Sequence, residues 1–203
     1  MRESRESRAP SGTPQGHLAL RRVEVVRTYL ALDDRAQLRP AKFADASVRI
    51  ERRDPCPVSL YRRLYREVGE PWFWHERLKW TDEELQEHLD SANVRVWEIL
   101  VDGESAGYFE LYSHGDGSVE IDYFGLIPKF IGRGIGGPVL TRAVEEAWSL
   151  GATRVWLHTC TLDSPRALPG YKARGFQPFK TERLEVDIEG TQVVGERLIH
   201  TSS

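Results

Sequence analysis

Glu120 and Asp122 stand two positions apart on an alternating stretch that runs toward a glycine-rich turn, Gly132-Arg133-Gly134-Ile135-Gly136-Gly137; Tyr171 lies one strand later. These residue types can move protons. A carboxylate accepts a proton from an amine, and a phenol gives one to a leaving group of similar basicity, such as a thiolate. Strand alternation puts Glu120 and Asp122 on one face, where proximity and burial raise one of the two pKa values. One carboxylate would then be the base and the other a seat for a substrate cation, with Glu110 in reserve. A glycine turn that opens a helix lines up free N–H groups at the positive helix end, which suits a phosphate or pyrophosphate.

The glycines also satisfy the dinucleotide fingerprint G-x-G-x-x-G. That fingerprint needs its turn directly after a strand and an acidic residue at the end of the next one. Here residues 128–131 intervene, and the next strand ends His158-Thr159-Cys160 without a carboxylate. A P-loop fails as well, because no Lys-Ser/Thr comes after the glycines.

A strand leading through Pro128 into Gly132-Arg133-Gly134-Ile135-Gly136 resembles motif A of the GNAT superfamily of N-acetyltransferases. Ser164, Ala167, Tyr171, Gly175 and Phe176 match the spacing of that family's Asn-x-x-Ala-x-x-x-Tyr-x-x-x-Gly-Phe segment, with Ser164 in place of Asn. One departure is plain: the family has Gln or Arg where this chain has Ile131, leaving the backbone amide and the nearby Arg133 to serve an anion. The resemblance implies an α+β GNAT acyl-CoA N-acyltransferase fold, a mixed central sheet with splayed strands flanked by helices. It implies acetyl-CoA as co-substrate, no metal, and a small-molecule amine or peptide N-terminus as acceptor. By the same resemblance Phe124, Gly125, Leu126, Ile131, Gly132, Arg133, Gly134, Ile135, Gly136 and Ser164 hold the cofactor. Glu120 is the base, Tyr171 the acid that reprotonates the thiolate, and Asp122 their partner. An acyl-CoA sensor without turnover, or a transferase using another acyl donor, remains open.

The elements that must position these groups are legible in outline. Residues 1–16 carry no apolar periodicity and read as a disordered arm; residues 17–46 read as an added strand and turn, and 47–203 as the transferase domain. Strands are predicted over 23–32, 47–52, 94–101, 106–112, 118–127, 152–159, 176–188 and 192–199. Helices are predicted over 58–68, 82–89 (after the Thr81–Glu84 capping box), 139–150 and 166–174, the last distorted by Pro169-Gly170. Trp72, Phe73, Trp74 and Trp80 form the most aromatic stretch, fit for core packing or for walls around an apolar amine. His75 and Cys160 read as structural.

Composition narrows the class. With 203 residues, 40% hydrophobic and 29% charged, the chain can bury one substantial core. A net charge of −3 argues against nucleic acid. Two distant cysteines make no disulfide framework, and no apolar run is long enough for a membrane span, so a cytoplasmic protein is expected, with a homodimer left open.

Overall fold

The computed structural model describes residues 20–44 and 47–189. The arm expected over 1–16 and the strand expected over 192–199 lie outside the described residues. In chain order the elements are β1 (Leu20–Leu32), β2 (Val48–Arg53), α1 (Val58–Gly69), α2 (Asp82–Asp90), β3 (Val94–Val101), β4 (Glu104–Ser113), β5 (Ser118–Leu126), α3 (Gly136–Ser149), β6 (Arg154–Cys160), α4 (Ala167–Ala173) and β7 (Gln177–Glu189).

All seven strands join one sheet in the order β2-β3-β4-β5-β6-β1-β7. The meander from β2 to β5 is antiparallel, as its short turns require. β1, first in the chain, lies between β6 and β7 and pairs antiparallel with both. Its Leu30 and Leu32 are fully buried.

Adjacent residues of β4 feed opposite faces of the sheet. Tyr108 joins Tyr61, Leu64, Tyr65 and Val68 of α1 and Leu85 of α2. Phe109 joins Leu111, Ile121, Val155, Leu157 and the buried stripe of α3. Helix α1 forms because its apolar side chains recur at helical spacing, and α2 starts where Thr81 and Glu84 cap each other's backbone.

Two irregularities in β5 open and line one side of the sheet. Its parallel pairing with β6 covers only Ser118↔Arg154, Val119↔Val155 and Glu120↔Trp156, after which the strands part. The expected splay is present and begins at Glu120. On the β4 side Glu110 pairs with Tyr123 and Leu111 with Ile121, which leaves Asp122 as an extra, bulged residue. Asp122 does share the face of Glu120 and Glu110, but simple alternation would also have put Phe124 there. The bulge instead sends Phe124 to the α3 side, edge-on to Tyr171.

Candidate active site

From β5 the chain turns through a single 3-10 turn, Pro128–Phe130, and Ile131 N–H donates to Pro128 O at 3.1 Å. That amide is therefore engaged, and the expectation that it stays free for an anion is corrected. Gly132 and Gly134 come next at φ +87° and +80°, where a side chain would be strained. Helix α3 then begins at Gly136, three residues earlier than the sequence pattern places it, and no side chain caps it. Pro138 has no N–H to leave unpaired, so the open donors of the first turn are those of Gly136 and Gly137, which meet no acceptor among the described residues. The Arg166 guanidinium lies by Gly132, its Nη1 3.4 Å from where a Cβ on that glycine would stand, and Arg174 Nη1 is 3.3 Å from the same place on Gly137. Arg133 is exposed and leans over the Phe130 ring, and Ile135 is buried in the core.

The parting of β5 and β6 opens a cleft of about 440 Å³. Of the residues singled out in the sequence, Asp122, Phe124, Gly125, Leu126, Ile131, Gly132, Gly134, Gly136, Ser164 and Tyr171 line it. Glu120, Arg133 and Ile135 do not. Tyr171 is held between Phe124 and Phe176, and its hydroxyl has no hydrogen-bond partner among the described residues. Burial, with the Asp163 charge adding to it, pushes that phenol well above its ordinary pKa, so it stays protonated. Ser164 Oγ accepts from Arg166 N–H at 3.3 Å and so helps start α4, while Pro169 falls in the first helical turn, where it is tolerated.

The opposite wall is acidic and wired from behind. Arg77, buried, donates to Glu110 at 3.2 Å and to Asp122 at 2.7 Å and lies over the rings of Trp80 and Tyr123. Glu110 is fully buried and also meets His88 Nε2 at 2.7 Å and the Tyr61 hydroxyl at 2.5 Å. Burial opposes its charge, but these partners outweigh it and its pKa falls below the usual range. Asp122 fares differently. Burial and the neighbouring Glu110 charge push it up to about 6 despite its bond to Arg77. Glu110 has His88 and the Tyr61 hydroxyl besides Arg77, whereas Asp122 has the bond to Arg77 alone.

Glu120 sits one step further back, where its Oε2 is 3.1 Å from His114 Nε2 and its Oε1 is 3.9 Å from His158 Nε2. Burial first, then the charges of Asp122 and Glu110, raise it to about 8. His158 does line the cleft; burial and the Arg27 charge lower its pKa, so it is neutral at pH 7. Asp163 closes the end of β6, accepting from Thr159 Oγ1 at 2.7 Å and Cys160 N–H at 2.8 Å. Among the described residues no group of three His, Cys, Asp or Glu is placed to hold a metal ion, and no helix is long and apolar enough to cross a membrane.

The family description "Acetyltransferase (GNAT) family" matches residues 61–176, more than half of the chain. The chain belongs to the GNAT family. Its α+β sheet and flanking helices are the GNAT acyl-CoA N-acyltransferase fold. No curated protein matches the chain. Among solved structures this GNAT chain is similar to a GCN5-related N-acetyltransferase from Kribbella flavida, at 18% identity and TM-score 0.58 over 85% of this chain and 62% of that one. It is similar to another from Sphaerobacter thermophilus at 17% identity and TM-score 0.60, over 84% of this chain and 53% of that one. The aminoglycoside acetyltransferase meta-AAC0020 from an uncultured soil metagenomic sample gives 18% identity and TM-score 0.54, over 79% and 98%. The chain thus spans only about 62% and 53% of the length of the first two.

Sequence reasoning passed over Arg77, His88, Arg166 and Asp163, while His158, expected at the strand end beside the acyl site, does line the cleft. Arg77 had one available signal, an arginine inside the most aromatic run of the chain; its partners are 33 and 45 residues away.

Proposed function

We propose that this chain is an acyl-CoA-dependent N-acyltransferase that moves an acetyl group from acetyl-CoA to a primary amine. The observation that carries the reading is one cleft with a phosphate cradle at one end and a near-neutral carboxylate at the other. The donor end fits the pyrophosphate of coenzyme A: two glycines at positive φ, the unpaired N–H groups that open α3, and the Arg166 guanidinium beside them. Arg166 supplies from α4 the positive charge that Ile131 does not. When bound, the thioester brings an activated acyl carbon and a thiolate leaving group.

The chain's own residues do the rest. Asp122, with a pKa of about 6, is largely ionised at pH 7, draws the ammonium in and takes its proton. Arg77 fixes one Asp122 oxygen and leaves the other for the amine. Tyr171, protonated and unpartnered in the cleft, gives a proton to sulfur. Backbone groups of residues 121–126 on the side that parts from β6 have no strand partner, and their N–H groups face the developing oxyanion.

A second route for the amine proton is favoured by one distance. Neutral His158 lines the cleft 3.9 Å from Glu120, so it can pass a proton back to that group once Glu120 is ionised, above about pH 8. Thiol release from acetyl-CoA over an amine panel tests the function. Acceptor-dependent release with acetylated product in the mass spectrum supports it; tight CoA binding with no turnover on any amine would make the chain an acyl-CoA sensor instead.

A further inference from the structure

The amine end of the cleft is walled by Trp72, Trp74, Val68 and Tyr123, and these residues are built into position rather than left at the rim. Trp74 fills the space over Gly69, where a Cβ would come within 2.5 Å of its Cβ, and its ring touches the place of a Gly125 Cβ at 3.6 Å while Val68 fills that place at 2.3 Å. Its ring also stands edge-on to Tyr123 at 5.1 Å. Between the two tryptophans Phe73 adopts φ +60°, ψ 36°, a left-handed conformation that is a genuine outlier for a bulky side chain. That turn lets Trp72 and Trp74 both reach the cleft while Phe73 goes to His75. Backbone strain of this kind persists where the surrounding structure enforces it, and it clusters at ligand clamps.

The charges here set a limit of their own. Two carboxylates line the cleft, Asp122 and Asp163. Asp163 Oδ2 accepts from Thr159 Oγ1 and from the Cys160 N–H, and its Oδ1 has only the long contact to Trp74 Nε1 at 3.5 Å. Asp122 has one oxygen on Arg77. Among the described residues the oxygen with no partner on this wall is Asp122 Oδ1, which suits one ammonium group. His158 is neutral and adds no repulsion, and among the described residues the cation that lines the cleft, Arg166, stands at the donor end.

We propose that the acceptor is a monocationic primary amine carrying an aromatic or bulky apolar body and no carboxylate, with Trp72 and Trp74 as the residues that select it. A polycation would leave buried ammonium groups without partners, and an α-amino acid would set its carboxylate beside Asp122. This class rests on the transferase reading above, and the two can fail separately.

The test compares 2-phenylethylamine, phenylalanine, ethanolamine and sisomicin as acceptors with acetyl-CoA. 2-Phenylethylamine is expected to exceed each of the others by about tenfold or more in kcat/KM, the range open to an apolar pocket. Trp72→Ala is expected to bring the 2-phenylethylamine to ethanolamine ratio close to one through KM. Trp74→Phe, which keeps a ring between Gly69 and Gly125, should lower that ratio less. A preference for sisomicin, phenylalanine or ethanolamine, or an equal loss on every amine in Trp72→Ala, would overturn the proposal. If no amine is turned over, the transferase reading falls, and calorimetric titration of 2-phenylethylamine and ethanolamine into the CoA-bound protein still decides. Tighter binding of 2-phenylethylamine that Trp72→Ala removes supports the pocket; equal or absent binding of the two rejects it.

Discussion

The two ends of the cleft are made of different material. The donor end is mostly backbone: two glycines at positive φ and an uncapped helix start, with the Arg166 and Arg174 guanidiniums beside them. The amine end is side chains held by other side chains, with Asp122 set by Arg77, Arg77 shared with Glu110, and Glu110 tied to His88 and Tyr61. A backbone site is local in sequence and tolerates neighbouring changes. A buried ionic network is neither local nor tolerant, because losing one member strands the rest without water. The contrast implies that mutations at the amine end damage both fold and chemistry, whereas those at the donor end act on cofactor affinity.

The largest expected effect is at Arg77. Arg77→Met leaves Glu110 ionised, fully buried and short of its main cation, and should cost about 3–5 kcal/mol in urea unfolding. Unchanged stability would mean that the network is not a unit.

Next come the proton-handling groups. Asp122→Asn and Tyr171→Phe are each expected to lower kcat by about 10²–10⁴-fold, with the acetyl-CoA KM little changed. The pH profile separates Asp122 from Glu120. The base must be ionised, so kcat/KM rises with pH through about 6 if Asp122 takes the proton and through about 8 if Glu120 does. The same two carboxyls bear on stability with a definite sign. Each holds its proton more tightly when folded, so each favours the fold in acid, and that contribution is lost as pH rises through about 6 and about 8. Glu110, with its pKa lowered, contributes in the opposite sense and loses its contribution in acid.

At the donor end the effects are smaller. Gly134→Val forces a β-branched residue to φ +80° and is expected to raise the acetyl-CoA KM about tenfold, at about 1–3 kcal/mol in stability. Ile131→Arg restores a cation at the cleft rim and should lower that KM by about two- to fivefold, in proportion to a charge at a helix start. A higher KM in Ile131→Arg would place the phosphates elsewhere.

This division also explains what the sequence disclosed. The glycine turn and the Tyr171 segment were legible because the roles proposed for them depend on residue type at fixed local spacing. Even there the Ile131 amide misled, since its engagement depends on a 3-10 turn that spacing does not announce. The pairing of Glu120 with Asp122 was read from alternation and is present, but the bulge that follows sends Phe124 to the other face, which alternation cannot foresee. Arg77 was passed over because an arginine reads as solvated, even inside an aromatic run, until Glu110 and Asp122 fold over it. β1 was legible as a strand, but not its place between β6 and β7, because periodicity names a strand's faces and not its neighbours.

The most direct test of the central claim, that the start of α3 holds the pyrophosphate of an acyl-CoA, is a calorimetric titration of the purified chain with coenzyme A and with pantetheine, which lacks the phosphates. Coenzyme A is expected to bind at least about tenfold more tightly, from charge-assisted bonds to the free N–H groups and Arg166. Equal affinities, or no binding of coenzyme A, would contradict it.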